Sequence, residues 1–207
     1  MPTRAEITRR LVRRWDRRAR FYDRLVAPIE RMMGFAPGRT RLFERAAKGR
    51  VLEVGAGTGK NLPYYPEGAL VVATDLSPGM LERAAEKAGD RPRGVRFVVT
   101  DAEDLAFRDG VFDAVVTSFV FCTLPDPVRG LREARRVLRD GGEVVLLEHI
   151  RPAGHLGRLF DLLDPIASRL MGPHINRRTL DHIHAAGLIV VEERNVFSDW
   201  VKFIVAR

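Results

Sequence analysis

The sequence contains a single cysteine, Cys122, which rules out a disulfide framework. It has no C-x-x-C pair and no cluster of histidines and cysteines at the spacing of zinc ligands, so no metal site is expected. The longest run without a charged residue or histidine is the 12 residues from Ala114 to Pro125, whereas a membrane-spanning helix needs about 20 apolar residues. The first residues are charged and lack the apolar core of a signal peptide. We therefore expect a cytoplasmic protein without a transmembrane helix.

Positive charge is concentrated near the N-terminus. Residues 1–50 hold 15 of the 35 lysines and arginines but only 5 of the 27 acidic residues. Apolar residues recur there at steps of three or four, which predicts a helix over residues 4–34, broken near Pro28. We expect residues 1–49 to form a basic lid of amphipathic helices.

The arginines of this segment lie opposite Leu11, Trp15 and Ala19 on a helical projection. Such a helix is suited to lie in an anionic membrane interface, and the protein is then peripheral at the inner membrane face. A solvated lid helix explains the same pattern equally well.

From residue 50 onward, short apolar runs alternate with helical segments. Strands are predicted at Val51–Val54, Leu70–Thr74, Val95–Val99, Phe112–Ser118, Glu143–Glu148, Leu188–Asn195 and Trp200–Ala206. Helices are predicted at Pro78–Ala88, Pro127–Arg139 and Thr179–Ala186. This alternation predicts an α/β fold: a doubly wound, Rossmann-like sheet of seven strands, mostly parallel with an antiparallel last strand, and with helices on both faces. Residues 50–207 form this domain, and residues 151–178 are a substrate-side insertion whose helix is interrupted near Pro165.

A glycine-rich turn follows the first predicted strand. Gly55, Gly57 and Gly59 allow the backbone to turn sharply and to approach a ligand closely. Asp75 ends the next strand, 20 residues after Gly55, where an acidic side chain can bind both hydroxyls of a ribose. Glu53 stands directly before the turn and would repel a pyrophosphate, so the pattern favours a nucleoside cofactor that carries positive charge.

These features resemble the class I S-adenosylmethionine-dependent methyltransferases over residues 50–207. The resemblance includes Asp101-Ala-Glu103 after the third strand, Ser118-Phe119 after the fourth, and the Arg136–Gly142 turn before the fifth. It implies that Asp101 accepts a hydrogen bond from the adenine amine and that the backbone of Ala102 donates one. The cofactor S-adenosylmethionine is then expected to be held by Glu53, Gly55, Ala56, Gly57, Gly59, Asn61, Asp75, Leu76, Ser77, Met80, Asp101, Ala102, Glu103, Ser118 and Phe119.

The motifs exclude some acceptors. The fourth strand is not followed by the Asn/Asp-Pro-Pro-aromatic run of base-amino methylases, and no Pro-Cys pair supplies a nucleophile for pyrimidine methylation. Nucleic acid is therefore not the expected partner. The alternative from a different class is a non-catalytic cofactor-binding protein or a nucleic-acid adaptor.

Four further segments resemble one small branch of the family. This branch includes membrane-associated alkyl thiol methyltransferases of animals and bacterial relatives of phosphatidylethanolamine N-methyltransferases. The segments are Asn61–Pro66, Phe121–Leu124, Leu146–His149 and Gly172–Arg177. We expect the methyl acceptor to be a small or amphiphilic molecule, most of all the amine head group of a phospholipid. An alkyl thiol or a quinone-type ring is the alternative acceptor.

An amine or thiol acceptor must lose a proton, and His149 is the predicted general base because its reference pKa of about 6.5 suits the task. The other predicted catalytic residues are His174 and Tyr22, the latter as an aromatic hydroxyl on a helix that covers the cofactor. The predicted substrate-binding residues are Tyr65, Cys122, Glu148, Asn176 and Arg177. A simple structural role explains several of these equally well, and a small buried residue is the favoured interpretation of Cys122.

Overall fold

The computed structural model describes residues 3–89 and 94–207, with the side chains of Leu170 and Met171 excepted. The predicted lid also includes Met1 and Pro2, which lie outside these residues. The strands are β1 (Arg50–Val54), β2 (Leu70–Asp75), β3 (Val95–Val99), β4 (Phe112–Ser118), β5 (Leu138–His149), β6 (Val190–Phe197) and β7 (Val201–Ala206). The helices are α1 (Arg4–Met33), α2 (Ala36–Arg45), α3 (Pro78–Ala88), α4 (Pro127–Val137), α5 (Gly154–Met171) and α6 (Thr179–Ala185), with a short 3-10 turn at Leu62–Tyr64.

The strands form one sheet in the order β3-β2-β1-β4-β5-β7-β6. Strands β1 to β5 pair in parallel, and β7 pairs antiparallel with both β5 and β6. The predicted fold class is therefore confirmed, including the antiparallel last strand. The chain order reverses between β1 and β4, and in open α/β sheets ligands bind outside the carboxyl ends of the strands at such a point.

The central strands are buried on both faces. Val51, Leu52, Val115, Val116 and Leu146 have essentially no exposed surface, as expected for parallel strands covered by helices on both sides. One helical layer includes Leu131 and Ala134 of α4, and the opposite one includes Leu42 and Phe43 of α2.

Helices α1 and α5 are both continuous, so the predicted interruptions at Pro28 and Pro165 are wrong. A proline inside a helix leaves the carbonyl four residues earlier without its hydrogen bond. Those carbonyls belong to Arg24 and Asp161, which are both exposed, so water can replace the missing donors. Helix α4 ends at Val137 rather than Arg139 because Leu138 already pairs with Phe112 of β4.

Candidate cofactor and acceptor site

A cavity lies at the carboxyl ends of β1, β2 and β4, and α1 covers it. Its floor includes residues from the glycine-rich turn and from the ends of β2 and β4, whereas Ile7, Leu11, Trp15 and Tyr22 line it from α1. Helix α1 thus covers the cavity, and we refer to it below as the lid helix. Leu11 and Trp15 face the cavity and Ala19 is buried. These three residues therefore do not form the membrane-facing side that the sequence pattern suggested.

The glycine-rich turn has the backbone conformation that only glycine adopts easily. Gly55 and Gly57 have φ angles of 71° and 55°. A Cβ atom on Gly55 would lie 2.3 Å from Cγ2 of Val120, whereas one on Gly57 would meet no atom within 4 Å because it would point into open space at the cavity. The turn thus brings bare backbone to the cavity wall.

Asp75 closes the cavity beside this turn. Its carboxylate accepts hydrogen bonds from the backbone N–H groups of Gly57 (3.0 Å) and Ser77 (2.9 Å). Burial nevertheless raises the pKa of Asp75 to about 6. Ser77 itself is buried and does not line the cavity: its hydroxyl caps α3 by accepting from the N–H of Met80 and donates to Asp16.

The charge of the cavity fits a cationic ligand. Asp75, Asp101 and Glu103 line it against one cationic side chain, Arg4, among the described residues. Arg4 Nη2 lies 3.4 Å from Oδ2 of Asp101 and 3.8 Å from Oε2 of Glu103, so it is already paired with the cavity's own carboxylates. A phosphate has no free cation here, whereas a sulfonium and an ammonium group find excess negative charge.

Ten of the predicted cofactor residues line the cavity: Gly55, Gly57, Asp75, Leu76, Met80, Asp101, Ala102, Glu103, Ser118 and Phe119. The other five are not among its lining residues: Glu53, Ala56, Gly59, Asn61 and Ser77. Gly59 serves packing, since a Cβ there would lie 3.1 Å from the backbone of Ala84 in α3.

Glu53 belongs to a buried polar network behind the glycine-rich turn. Its two carboxylate oxygens accept hydrogen bonds from Asn61 Nδ2 (2.5 Å) and from the hydroxyl of Tyr65. Burial raises the pKa of Glu53, and these hydrogen bonds oppose the rise. Tyr65, predicted to bind substrate, instead supports Glu53 because its hydroxyl is turned inward.

The sequence interpretation missed Arg39 of α2. Its Nη1 donates to Asn61 Oδ1 and, over 3.1 Å, to Ser118 Oγ, while its Nη2 lies 2.8 Å from Glu30 Oε1 of α1. The side chain is buried, so it ties α2 and the lid helix α1 to the end of β4. One signal was available: Arg39 shares a helix face with Leu42, Phe43 and Ala46, at spacings of three, four and seven residues.

His149 lies outside the cavity, among aromatic rings. Its ring centroid lies 4.6 Å from that of Phe119, 5.3 Å from Trp200 and 6.4 Å from Phe35. Its buried Nδ1 has no hydrogen-bond partner among the described residues, and burial lowers the pKa of His149 to about 4. The structure therefore contradicts the reason for predicting His149 as a general base, because such a weakly basic imidazole is poorly matched to an amine. Phe119, which has a positive φ of 58°, contacts both this cluster and the cavity.

The predicted substrate residues Glu148 and Cys122 are both fully buried, and neither lines the cavity. Glu148 Oε1 accepts from the backbone N–H groups of Val120 (2.7 Å) and Phe121 (3.0 Å). Burial raises the pKa of Glu148 to about 7 and also raises that of the Cys122 thiol. Glu148 thus positions the loop after β4 that presents Phe119 to the cavity.

The remaining predicted residues hold the insertion together. His174 Nδ1 lies 2.7 Å from Asp164 Oδ2, and Asn176 Nδ2 lies 3.3 Å from Asp161 Oδ1. Arg177 donates to the carbonyl of Leu124 over 2.6 Å. None of the three lines the cavity, because their polar atoms are directed to the protein. Tyr22 is the predicted catalytic residue that does line it, and burial raises the pKa of its phenol well above the usual value.

A family model described as a methyltransferase domain matches residues 52–146. The chain is 44% identical over 115 residues to a phosphatidylethanolamine N-methyltransferase of Cereibacter sphaeroides, an alignment that covers 54% of this chain and 56% of the relative. It is 42% identical over 114 residues to a demethylmenaquinone methyltransferase of Clavibacter sepedonicus (55% and 46% covered). It is 40% identical over 110 residues to a human thiol S-methyltransferase (50% and 45% covered). The alignments thus span about half the length of these curated relatives.

Among solved structures, an S-adenosylmethionine-dependent methyltransferase from Thermotoga maritima superposes with a TM-score of 0.68 at 21% identity, covering 93% of this chain and 98% of that one. This likeness shows the fold. Residues 52–146 are therefore a methyltransferase domain. The domain is of the class I S-adenosylmethionine-dependent kind, with S-adenosylmethionine as its cofactor, and the predicted resemblance is confirmed. None of the helices in the described part of the chain combines the length and apolar character needed to cross a membrane.

Proposed function

We propose that this protein transfers the methyl group of S-adenosylmethionine to the amine head group of a phospholipid of the phosphatidylethanolamine type. The observation that carries the proposal is the acidic cavity between the glycine-rich turn and the lid helix, which fits a cationic nucleoside cofactor. The 44% identity to a phosphatidylethanolamine N-methyltransferase supports this choice of acceptor.

The cavity residues divide into three groups along the proposed cofactor. Asp101 and Ala102 would hold the adenine, Asp75 would accept from the ribose hydroxyls, and the backbone at Gly57 would border the methionine portion. The bound cofactor supplies an already activated methyl group on its sulfonium. The protein's task is then to align a nucleophile with that methyl group and to exclude water.

On the acceptor side, Tyr22 and Phe119 are the groups that we assign to positioning. The raised pKa of Tyr22 keeps its phenol protonated at neutral pH, so the hydroxyl can orient an amine by hydrogen bonding without adding a negative charge. Phe119 joins the cavity to the aromatic rings around His149. The neutral His149 forms part of an apolar wall for the acceptor in this proposal, and the amine enters in its unprotonated form.

The second candidate is methylation of a quinone-type ring or an alkyl thiol. The aromatic cluster of Phe35, Phe119, His149 and Trp200 suits a flat ring, and the relatives with 42% and 40% identity act on a demethylmenaquinone and a thiol by their names.

Purified protein incubated with methyl-labelled S-adenosylmethionine tests the proposal. Phosphatidylethanolamine vesicles, a short alkyl thiol and a reduced demethylated quinone are offered separately, and Gly57→Ala serves as the variant with a blocked cofactor site. We expect label in the lipid, lost in Gly57→Ala and at least tenfold slower in Tyr22→Phe with cofactor affinity unchanged. Label only in the thioether or the methylated quinone would replace the proposal by the second candidate.

A further inference from the structure

Helix α5 of the insertion exposes a row of large apolar side chains. Leu162 is 74% exposed and Ile166 is 62% exposed, and both lie on the side of α5 opposite the buried Asp164 and Gly157. We call this exposed row the leucine face. It consists of Leu156, Leu159, Leu162, Leu163 and Ile166. A water-soluble surface rarely collects five such residues on one helix, so the row marks a contact site.

Helix α1 carries a second row beside its basic residues. Met32 is 78% exposed and Leu25 is 67% exposed. The α1 stripe consists of Phe21, Leu25, Ile29 and Met32, which recur at steps of three or four and therefore share one face. It differs from the face formed by Leu11, Trp15 and Ala19, which is turned toward the cavity and the core.

The two helices that carry these rows lie close together. Arg14 of α1 donates to the carbonyl of Ser168 near the C-terminal end of α5 over 2.8 Å. At the other end, Phe35 follows α1 and is linked through Phe197 and Trp200 to Phe160 of α5, with ring centroids 5.3–6.5 Å apart. Both helices therefore lie over the carboxyl ends of the strands, where the cavity is.

Exposed arginines border the α1 stripe. They are Arg10, Arg13, Arg17, Arg20, Arg24 and Arg31. Within residues 3–89 and 94–207, none of these six forms an ion pair with an acidic side chain. A second copy of this chain, with a net charge of +8, would meet these arginines with like charge, whereas an anionic lipid surface meets them with opposite charge.

We propose that the leucine face and the α1 stripe together dock the protein on an anionic lipid bilayer, with the arginines of α1 against the lipid phosphates. The apolar side chains enter the boundary between head groups and acyl chains, and the helices lie flat on the surface. The cavity then opens toward the lipid. The inference concerns docking alone and does not depend on which acceptor is methylated.

Co-sedimentation with vesicles of phosphatidylglycerol and phosphatidylcholine tests the inference, because these vesicles contain no phosphatidylethanolamine. We expect binding to vesicles rich in phosphatidylglycerol at low salt, and at least tenfold weaker binding for the double variant Leu162→Gln/Ile166→Gln. Leu25→Gln/Met32→Gln should show a similar loss. Ile189→Gln is the matched control, since Ile189 is 68% exposed but lies directly before β6, where its backbone pairs with that of Arg207. This variant should bind like the original protein.

S-adenosylmethionine binding shows that each variant is folded. Unchanged vesicle binding in both double variants would overturn the inference, as would equal binding to vesicles of phosphatidylcholine alone at high salt. A concentration-dependent dimer in analytical ultracentrifugation, lost in Leu162→Gln/Ile166→Gln, would assign the face to self-association instead. If the protein docks on these vesicles but the separate labelling assay shows no methylation of phosphatidylethanolamine, the proposed function is refuted and the docking surface is still supported.

Discussion

Arg39 Nη1 donates a hydrogen bond to Ser118 Oγ over 3.1 Å, and this contact connects the lid to the end of the fourth strand. Ser118 lines the cofactor cavity, whereas the other end of the Arg39 guanidinium pairs with Glu30 of the lid helix. The closed lid and the shape of the cavity are thus coupled through one buried cation.

Replacing Arg39 by alanine should therefore cost about 1–3 kcal/mol of the free energy of unfolding, because it leaves the buried Oδ1 of Asn61 without its donor. Glu30 keeps its second partner, Lys60. Urea denaturation measures the change. Arg45→Ala is the matched control on the same helix, since its pair with Glu143 is partly exposed and should be worth less than about 1 kcal/mol. Equal losses in the two variants would show that the network contributes little.

Gly57→Ala should weaken cofactor binding at least tenfold with little loss of folding stability. The positive φ at position 57 should lower the stability of the alanine variant by about 1 kcal/mol. The new methyl group would occupy the open space beside the cavity lining. Gly34→Ala is the control because Gly34 has a similar φ of 67° and equally open surroundings outside the cavity. Calorimetric titration with S-adenosylmethionine should show at least a tenfold loss for Gly57→Ala alone. Similar affinities in both variants would contradict the placement of the cofactor.

Cofactor affinity should fall as the pH decreases through 6. Burial raises the pKa of Asp75 to about 6 in the free protein, and only the ionised carboxylate accepts from two ribose hydroxyls. About a tenth of the molecules keep this carboxylate ionised at pH 5, so the dissociation constant should rise about tenfold between pH 7 and pH 5. Asp75→Asn should bind weakly at both values, whereas the exposed Asp104→Asn should retain the original dependence. A pH-independent affinity would refute the role of Asp75.

His149 should make the protein less stable in mild acid. Its pKa is about 4 when folded and about 6.5 when unfolded, so the unfolded state binds more protons between these values. Stability is fully present above pH 6.5 and decreases as the pH falls toward 4, by up to about 3 kcal/mol from this residue. His149→Phe should reduce that decrease in denaturant titrations at pH 7 and pH 4.5. The same decrease in both proteins would show that His149 is already accessible to protons.

The alternation of strands and helices was readable from the sequence because burial on both faces of a parallel sheet requires continuous apolar runs. Strands β3 and β4 have the predicted bounds. The predicted interruptions at Pro28 and Pro165 were wrong, because a helix continues through a proline when the carbonyl four residues earlier is exposed and can bind water instead. That exposure is a property of the folded molecule.

Many of the residues that line the cavity could be predicted from the sequence for a related reason. Each lies within a few residues of a strand end, and parallel strands bring their carboxyl ends to the same edge. The residues predicted to bind the acceptor do not line the cavity, and the sequence could not show this because polar side chains at a strand end can turn outward or inward. Glu148 and Tyr65 turned inward, and Arg39 entered the site from a helix without a motif.

The sequence by itself determined the sheet, the glycine-rich turn and the position of Asp75 at the end of β2. Local backbone conformation and apolar periodicity depend on neighbouring residues, so they can be recognised without the tertiary structure. Only the tertiary structure decided which side of α1 faces the cavity, which buried groups form hydrogen bonds with one another, and that α1 and α5, which carry the two apolar rows, contact each other. These relationships join residues that are distant in the sequence, such as Arg39 with Ser118 and Arg14 with Ser168, and only the packing of the folded chain sets the distances between them.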